Sequence, residues 1–186
     1  MQIVVGIVGP IGSGKSTTSA FLVKKGFVHL RFSEEIEKEI KKRNLEFSRK
    51  NYQDIGNEWR AQKIDFISQR VLETINKLPE NAQVVIEGCR NPGEIYPFRK
   101  RANFYLIGLN APVEIRFQRV SKLSRDPKTW KEFQIGEKRD AGYGEPEWGQ
   151  NTPGCLKLAD IVISTDKVKL KVNQEIEKFL KLKGVL

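Results

Sequence analysis

Short apolar runs alternate with amphipathic stretches along this chain. Five runs rich in β-branched or aromatic residues occupy residues 3–8, 27–30, 84–86, 104–109 and 161–163. Continuous apolar runs of this length are typical of strands buried on both faces, as in parallel sheets. We therefore predict a parallel sheet covered by helices on both sides.

Segments with helical periodicity lie between these runs. Residues 15–25 follow the first run, and Ser33 with two glutamates opens a segment that carries Ile36 and Ile40 on one face. Longer apolar stripes consist of Ile64, Ile67, Val71, Ile75 and Leu78, and of Val168, Val172, Ile176 and Leu180. Asn91-Pro92-Gly93-Glu94 has the N-cap, N1 and N3 residues of a helix start. The alternation predicts one α/β domain with right-handed crossovers.

Two stretches interrupt this alternation. Residues 33–60 separate the second predicted strand from the long helix, and residues 119–153 are rich in charge, Gly, Pro and Trp. With 186 residues, the chain exceeds one average domain only slightly. We interpret both stretches as insertions over the functional edge of the sheet and not as separate domains.

The charge balance favours anionic partners. The chain has 33 Lys and Arg residues against 23 Asp and Glu residues, a net charge of +10 with its histidine neutral. This excess does not distinguish a polynucleotide from small phosphate compounds, although we expect dedicated nucleic-acid binding to be the less favoured. No apolar run approaches the roughly 18–20 residues that span a bilayer, and two distant cysteines suggest no disulfide framework. We expect a cytoplasmic protein without a membrane partner.

The strongest chemical signal directly follows the first apolar run. Residues 9–17, GPIGSGKST, fit the pattern G-x-x-x-x-G-K-[ST] and lead into a predicted helix. Such a loop turns its backbone N–H groups inward and adds the positive end of the helix dipole, which together bind phosphate. Lys15 is placed to reach the β- and γ-phosphates, Ser16 to ligate Mg²⁺, and Thr17 to contact the α-phosphate. The expected cradle consists of Gly12, Ser13, Gly14, Lys15, Ser16 and Thr17.

Polar residues also follow the other predicted strands. They are Arg31 and Ser33, Glu87 and Arg90, Asn110, and Thr165 with Asp166. In an open parallel sheet, ligands bind outside the carboxyl ends of the strands. Glu87 is therefore a candidate Mg²⁺ ligand, or alternatively a carboxylate that caps local N–H groups. Arg90 either serves the site or pairs with Glu94 four residues later.

Cations crowd into the second irregular stretch and the residues before it. They are Arg116, Arg119, Lys122, Arg125 and Arg139. Phosphoryl transfer needs positive charge and exclusion of water, which a closing cationic flap supplies. Each residue could equally belong to a solvated basic face, and Arg119 and Arg125 are the two that we favour as functional.

These motifs resemble those of the P-loop nucleoside and nucleotide kinases, most closely the branch shared by dephospho-CoA kinases and deoxynucleoside monophosphate kinases. The resemblance is specific over residues 9–17 and looser over residues 32–33, 56–60, 86–90, 111–125 and 163–166. It implies a three-layer α/β fold with five parallel strands in the order 2-3-1-4-5. It also implies an acceptor-binding insertion at residues 33–60 and a lid at residues 119–150.

The same resemblance implies roles for single residues. Arg60 and Arg90 would hold the acceptor, near Ser33 and Glu87. Arg119 would lie over the donor adenine and Arg125 would approach the phosphates. Thr165 and Asp166 would border the donor base. ATP as co-substrate and Mg²⁺ are the implied cofactors.

Two departures from the family pattern bear on the acceptor and on the metal. Ser33 stands where dephospho-CoA kinases have an Asp that serves as base for a hydroxyl acceptor. Glu87 stands where many relatives have Asp, which leaves both direct and water-mediated contact with Mg²⁺ open. A phosphate acceptor is already an anionic nucleophile and needs only positioning. We therefore expect phosphoryl transfer from ATP to a nucleoside or deoxynucleoside monophosphate, by a monomer or homodimer. Dephospho-CoA as acceptor, an ATP-controlled RNA- or DNA-binding switch, and a weak ATPase are the alternatives.

Overall fold

A computed structural model describes residues 1–122 and 128–186 of the chain. Its five strands form one parallel sheet in the order β2-β3-β1-β4-β5. The strands are β1 (Ile3–Val8), β2 (Val28–Arg31), β3 (Gln83–Glu87), β4 (Phe104–Asn110) and β5 (Ile161–Ser164). The predicted fold class and strand order are thereby confirmed.

Helices connect the strands and cover both faces of the sheet. They are α1 (Lys15–Val23), α2 (Phe32–Lys42), α3 (Arg49–Gln62), α4 (Phe66–Asn76), α5 (Tyr96–Arg99), α6 (Val113–Val120), α7 (Trp130–Asp140), α8 (Thr152–Lys157) and α9 (Lys169–Leu182), with a 3₁₀ turn at Pro92–Glu94. Within the described ranges, none of these helices is long and apolar enough to cross a membrane.

Alternation along β1 divides the core into two layers. Val4 and Val8 pack with apolar residues of α2, α3 and α4 on one face. Val5 and Ile7 pack with α1 and α9 on the other face. Because successive side chains of a strand point to opposite faces, this apolar strand supplies both layers.

Several helix boundaries differ from the periodic pattern. Helix α2 begins at Phe32, so Ser33 lies inside the first turn and does not open the helix as predicted. Strand β2 runs directly into α2, and the extended Arg31 takes the N-cap position. Ile64 and Val168, assigned above to apolar helix stripes, precede α4 and α9. The predicted helix start at Asn91 is confirmed as a 3₁₀ turn with a complete capping box.

Gly88 makes the close turn that carries the chain from β3 past the start of α2. Its φ is +113°, and a Cβ at this position would lie 2.9 Å from the Cβ of Phe32. Phe32 is fully buried and so has little room to move. A side chain at Gly88 would therefore meet both backbone strain and overpacking.

We expect Gly88→Ala to lower the free energy of unfolding by roughly 2–4 kcal/mol. Gly26→Ala is the matched control, because Gly26 has a φ of +97° with nothing within 4 Å of the added Cβ. That variant should lose only roughly 1 kcal/mol, from backbone strain alone. Denaturant unfolding of both variants measures the difference, and equal losses would contradict the packing argument.

Candidate active site

The loop between β1 and α1 is shaped by glycines in left-handed conformations. Gly14 is the N-cap of α1 with a φ of +93°, and no side chain caps the helix. Gly12 has a φ of +74°, and a Cβ there would lie 2.5 Å from the backbone oxygen of Arg116. Because α1 also has no acidic residue in its first turn, the dipole of its amino end is available to an anion.

Lys15 bends back over this loop. Its ammonium donates hydrogen bonds to the carbonyl oxygens of Gly9 at 2.8 Å and Pro10 at 2.9 Å. Removal of the ammonium from water, helped by the nearby positive charge of Arg90, lowers the pKa of Lys15 to about 7. The loop thus holds a cation whose charged form a bound phosphate would stabilise.

Glu87 brings the end of β3 to the first turn of α1. It is buried and accepts hydrogen bonds from the hydroxyls of Ser16 at 3.2 Å and Ser19 at 3.0 Å, and His29 Nε2 lies 3.4 Å from its carboxylate. Burial opposes ionisation, but His29, Lys15 and Ser19 outweigh it and hold the pKa of Glu87 below its usual range. The carboxylate is therefore charged at neutral pH.

The oxygens of Ser16 and Glu87 fit a Mg²⁺ site. The hydroxyl and the carboxylate are 3.2 Å apart and both line the cavity described below. Mg²⁺ takes oxygen ligands, with one or two from the protein and the rest from phosphate and water. Among the described residues, no group of three or more His, Cys, Asp or Glu side chains could hold a metal. Ser16 and Glu87 thus offer one hydroxyl and one carboxylate as candidate ligands.

Arg119 joins the phosphate-binding loop to the turn after β5. It donates to the carbonyl of Gly12 at 3.0 Å and to the hydroxyl and carbonyl of Thr165 at 3.0 and 2.6 Å. The Thr165 hydroxyl in turn donates to the carbonyl of Ser13 at 2.9 Å. Asp166 is exposed and accepts from Ser164 instead, so Arg119 and Thr165 lie together while Asp166 does not join them.

Two arginines converge on one buried carboxylate of the site. Asp140, at the end of α7, accepts from Arg49 at 2.7 Å, Arg90 at 3.1 Å and Gln53 at 3.1 Å. Its complete burial opposes ionisation, but the two arginines hold the pKa of Asp140 below its usual range. The alternative pairing of Arg90 with the Glu94 side chain is wrong, because the guanidinium reaches Asp140 and Glu94 accepts from the Arg90 main chain.

Arg60 lies in a buried network below these arginines. It donates to Glu94 at 3.0 Å, to Asn57 at 2.5 Å and to the carbonyl of Trp148 at 3.0 Å. Both members of the Arg60–Glu94 pair are almost completely shielded from solvent. This network ties α3 to the 3₁₀ turn and to the loop between α7 and α8.

One cavity of about 510 Å³ connects these groups. Its lining includes the phosphate-binding loop and the charged residues Glu87, Arg119, Arg49, Arg90 and Asp140. Ser33 and Arg60 line the same cavity. Ser13 is buried in the loop and Asp166 lies outside the lining. Arg125 lies outside the described residues.

Two charged residues that line the cavity, Arg49 and Asp140, were not predicted. Arg49 and Asp140 are 91 positions apart and follow no motif, so only the fold brings them together. Arg116 was included above as one of several cations, but it is buried and donates to the carbonyls of Ala111 and Ile11. It also pairs with Glu137 of α7. Arg116 thereby anchors α7 to the phosphate-binding loop.

A phosphate-binding loop in a five-stranded parallel sheet of order 2-3-1-4-5 defines a P-loop protein of the nucleotide-kinase type. The AAA domain family matches residues 5–143, and the chain belongs to that family. The chain is also similar to a UPF0200 protein from Pyrococcus horikoshii, with 28% identity over 191 residues that cover 92% of each chain.

Two solved structures share the fold. TT1252 from Thermus thermophilus has a TM-score of 0.63 and 18% identity, covering 98% of this chain and 97% of that chain. Shikimate kinase from Acinetobacter baumannii in complex with shikimate has a TM-score of 0.61 and 20% identity, covering 98% of this chain and 93% of that chain. The fold and the phosphate-binding loop together support a P-loop kinase-like enzyme.

The pKa of Lys15 leads to a prediction about nucleotide binding. At about pH 8.5 the group is mostly neutral, and an adjacent triphosphate favours its charged form. ATP binding should therefore take up nearly one proton per nucleotide at this pH, measured by calorimetry in buffers of different ionisation enthalpy. Lys15→Met should abolish this uptake while the exposed control Lys24→Met retains it; equal uptake in both variants would contradict the assignment.

Proposed function

We propose that this protein transfers the γ-phosphoryl group of ATP, with Mg²⁺, to a nucleoside or deoxynucleoside monophosphate. The observation that supports it best is one cavity that is lined both by the phosphate-binding loop, with Lys15, and by Arg49, Arg90 and Arg119. These cations would offset the negative charge of two phosphate groups brought together in one cavity, as phosphoryl transfer between them requires.

The carboxylates of the cavity favour an acceptor that is already anionic. A hydroxyl acceptor profits from a carboxylate base with an available lone pair and a pKa near neutrality. Among the described residues that line the cavity, only Glu87 and Asp140 are acidic. Both are hydrogen-bonded to other side chains, and both have a lowered pKa. Neither is suited to take a proton from a hydroxyl, whereas a phosphate oxygen needs no base.

On the donor side, each proposed role follows from the contacts. The N–H groups of residues 12–17 and the amino end of α1 bind the phosphate chain of ATP. Lys15 exchanges its loop carbonyl contacts for the β- and γ-phosphates and stabilises the charge that develops during transfer. Ser16 and Glu87 hold Mg²⁺, which neutralises phosphate charge when bound. Arg119 lines the cavity and is proposed to border the donor base, and Thr165, outside the cavity lining, holds the Arg119 guanidinium in place.

On the acceptor side, Arg90 and Arg49 position the phosphate. A planar guanidinium donates two parallel hydrogen bonds to a phosphate, which fixes its orientation for attack. Three of the five N–H groups of Arg60 are used within the protein. We therefore propose that Arg60 contributes to the acceptor only with its remaining N–H groups. Residues 119–150 are proposed to close over both substrates.

An acceptor screen tests the proposal directly. With ATP and Mg²⁺, we expect ADP formation with at least one nucleoside or deoxynucleoside monophosphate, and much slower reaction with dephospho-CoA or shikimate. Lys15→Ala should reduce turnover about 10²–10⁴-fold, because it removes charge stabilisation at the transferring phosphate. Preferred transfer to a hydroxyl acceptor would overturn the assignment.

Arg90→Ala separates acceptor binding from donor binding. We expect KM for the acceptor to rise at least about tenfold, while KM for ATP stays within a few fold. Arg60→Ala is less informative, since it leaves Glu94 buried without its cation and should cost about 3–5 kcal/mol of stability. A selective rise in KM for ATP with Arg90→Ala would instead place Arg90 on the donor side.

Glu87→Gln tests the metal assignment. The amide keeps the size of the side chain but removes the charge that attracts Mg²⁺. We expect the Mg²⁺ concentration for half-maximal activity to rise at least about tenfold, with ATP affinity in excess chelator unchanged. Glu114→Gln, on α6 and exposed, is the control and should behave as wild type. An unchanged Mg²⁺ requirement in a folded Glu87→Gln protein would remove Glu87 from the metal site.

A further inference from the structure

Gln150 is a buried residue that lines the cavity. Only 3% of the residue is exposed, in the loop between α7 and α8. Within residues 1–122 and 128–186, no group forms a hydrogen bond with its side-chain amide, and neither amide atom is sealed inside the protein. The amide therefore opens into the cavity. Its hydrogen-bonding groups are therefore accessible to a ligand in the cavity, and a ligand that forms these hydrogen bonds gains affinity over one that cannot.

The backbone on both sides of Gln150 is held in place. The next residue, Asn151, donates its N–H to the carbonyl of Arg90 at 2.6 Å. The preceding carbonyl, of Gly149, accepts from the Asn91 side chain at 2.7 Å. Because these contacts fix the loop against the turn that carries Arg90, the amide is presented from a defined position, as recognition requires.

The cavity also offers an apolar wall for a flat ring. Phe32 and Ile36 of α2, Tyr52 of α3 and Ile67 of α4 line it. A predominantly apolar pocket with a few placed polar groups is typical of small-molecule sites. Since Arg49 and Arg90 are proposed to bind the acceptor phosphate, we assign the apolar wall and the Gln150 amide to the base of the acceptor.

We propose that the Gln150 amide binds the polar edge of the acceptor nucleobase and determines which base the protein accepts. This inference rests on the proposed function and names its specificity residue. An amide supplies one donor and one acceptor, and every common nucleobase presents an adjacent acceptor and donor. A carboxylate only accepts, and guanine alone presents two adjacent donors, its N1–H and its 2-amino group.

Gln150→Glu should therefore change selectivity between bases. We expect kcat/KM for AMP, CMP and UMP to fall at least about tenfold and kcat/KM for GMP to fall less. The ratio of kcat/KM for GMP to that for AMP should then rise about tenfold. Gln150→Met, of similar size without hydrogen-bonding groups, should lower kcat/KM for all bases that wild type uses. Gln174→Glu, exposed on α9, carries the same charge change and should leave all four values unchanged.

Two outcomes would overturn the inference and leave the proposed function intact. The first is wild-type selectivity between bases in a folded Gln150→Glu protein. The second is an equal loss of kcat/KM for all four monophosphates together with a lower melting temperature, because that combination indicates a structural role. If Gln150→Glu does not fold, the Gln150→Met variant tests the inference instead. A Gln150→Met protein with the wild-type kcat/KM for every monophosphate would overturn it. If wild type neither binds nor phosphorylates any nucleoside monophosphate, the proposed function fails as well.

Discussion

The parallel register between β1 and β3 is the constraint on which the site depends. It places Ile7 beside Glu87, and β2 adds Arg31 to the same row. The carboxyl ends of three strands thus finish together, and the loops that follow them share one edge. A shift of one residue would turn Glu87 to the other face of the sheet, away from Ser16 and Ser19. The apolar residues that bury both faces of β3 therefore also determine where the carboxylate lies.

Charged contacts hold the segment around α7 over that edge. Asp140 reaches Arg49 and Arg90, and Arg139 pairs with Asp54 of α3 at 2.7 Å. Among these residues Asp140 is buried, and a buried carboxylate adds little net stability through its pairs but is costly to leave without its cations. These pairs favour one arrangement of α3 and α7. Because Arg49, Gln53 and Asp140 of these helices line the cavity, that arrangement determines its shape.

Local sequence signals predicted the sheet and the phosphate-binding loop well, and the network of charged residues poorly. Strands and the phosphate-binding loop follow from apolar runs and fixed glycine spacing, both of which are local. Asp140, in contrast, acts through Arg49, 91 residues away, and no spacing rule connects them. Gln150 gave no signal either, because its significance lies in its burial in the lining of the cavity, which only a packed structure reveals. Ser33 was misplaced as a helix start because β2 enters α2 without a loop.

The cavity concentrates positive charge beyond what its carboxylates balance. Burial, followed by the positive charge of Arg90, disfavours the charged form of Lys15, while Asp140 and Glu87 favour it, and the pKa of Lys15 remains lowered. An anion bound between Lys15 and Arg90 would relieve this repulsion and restore the proton to Lys15. The same excess of positive charge that disfavours the protonated form of Lys15 in the free protein therefore favours phosphate groups within this cavity.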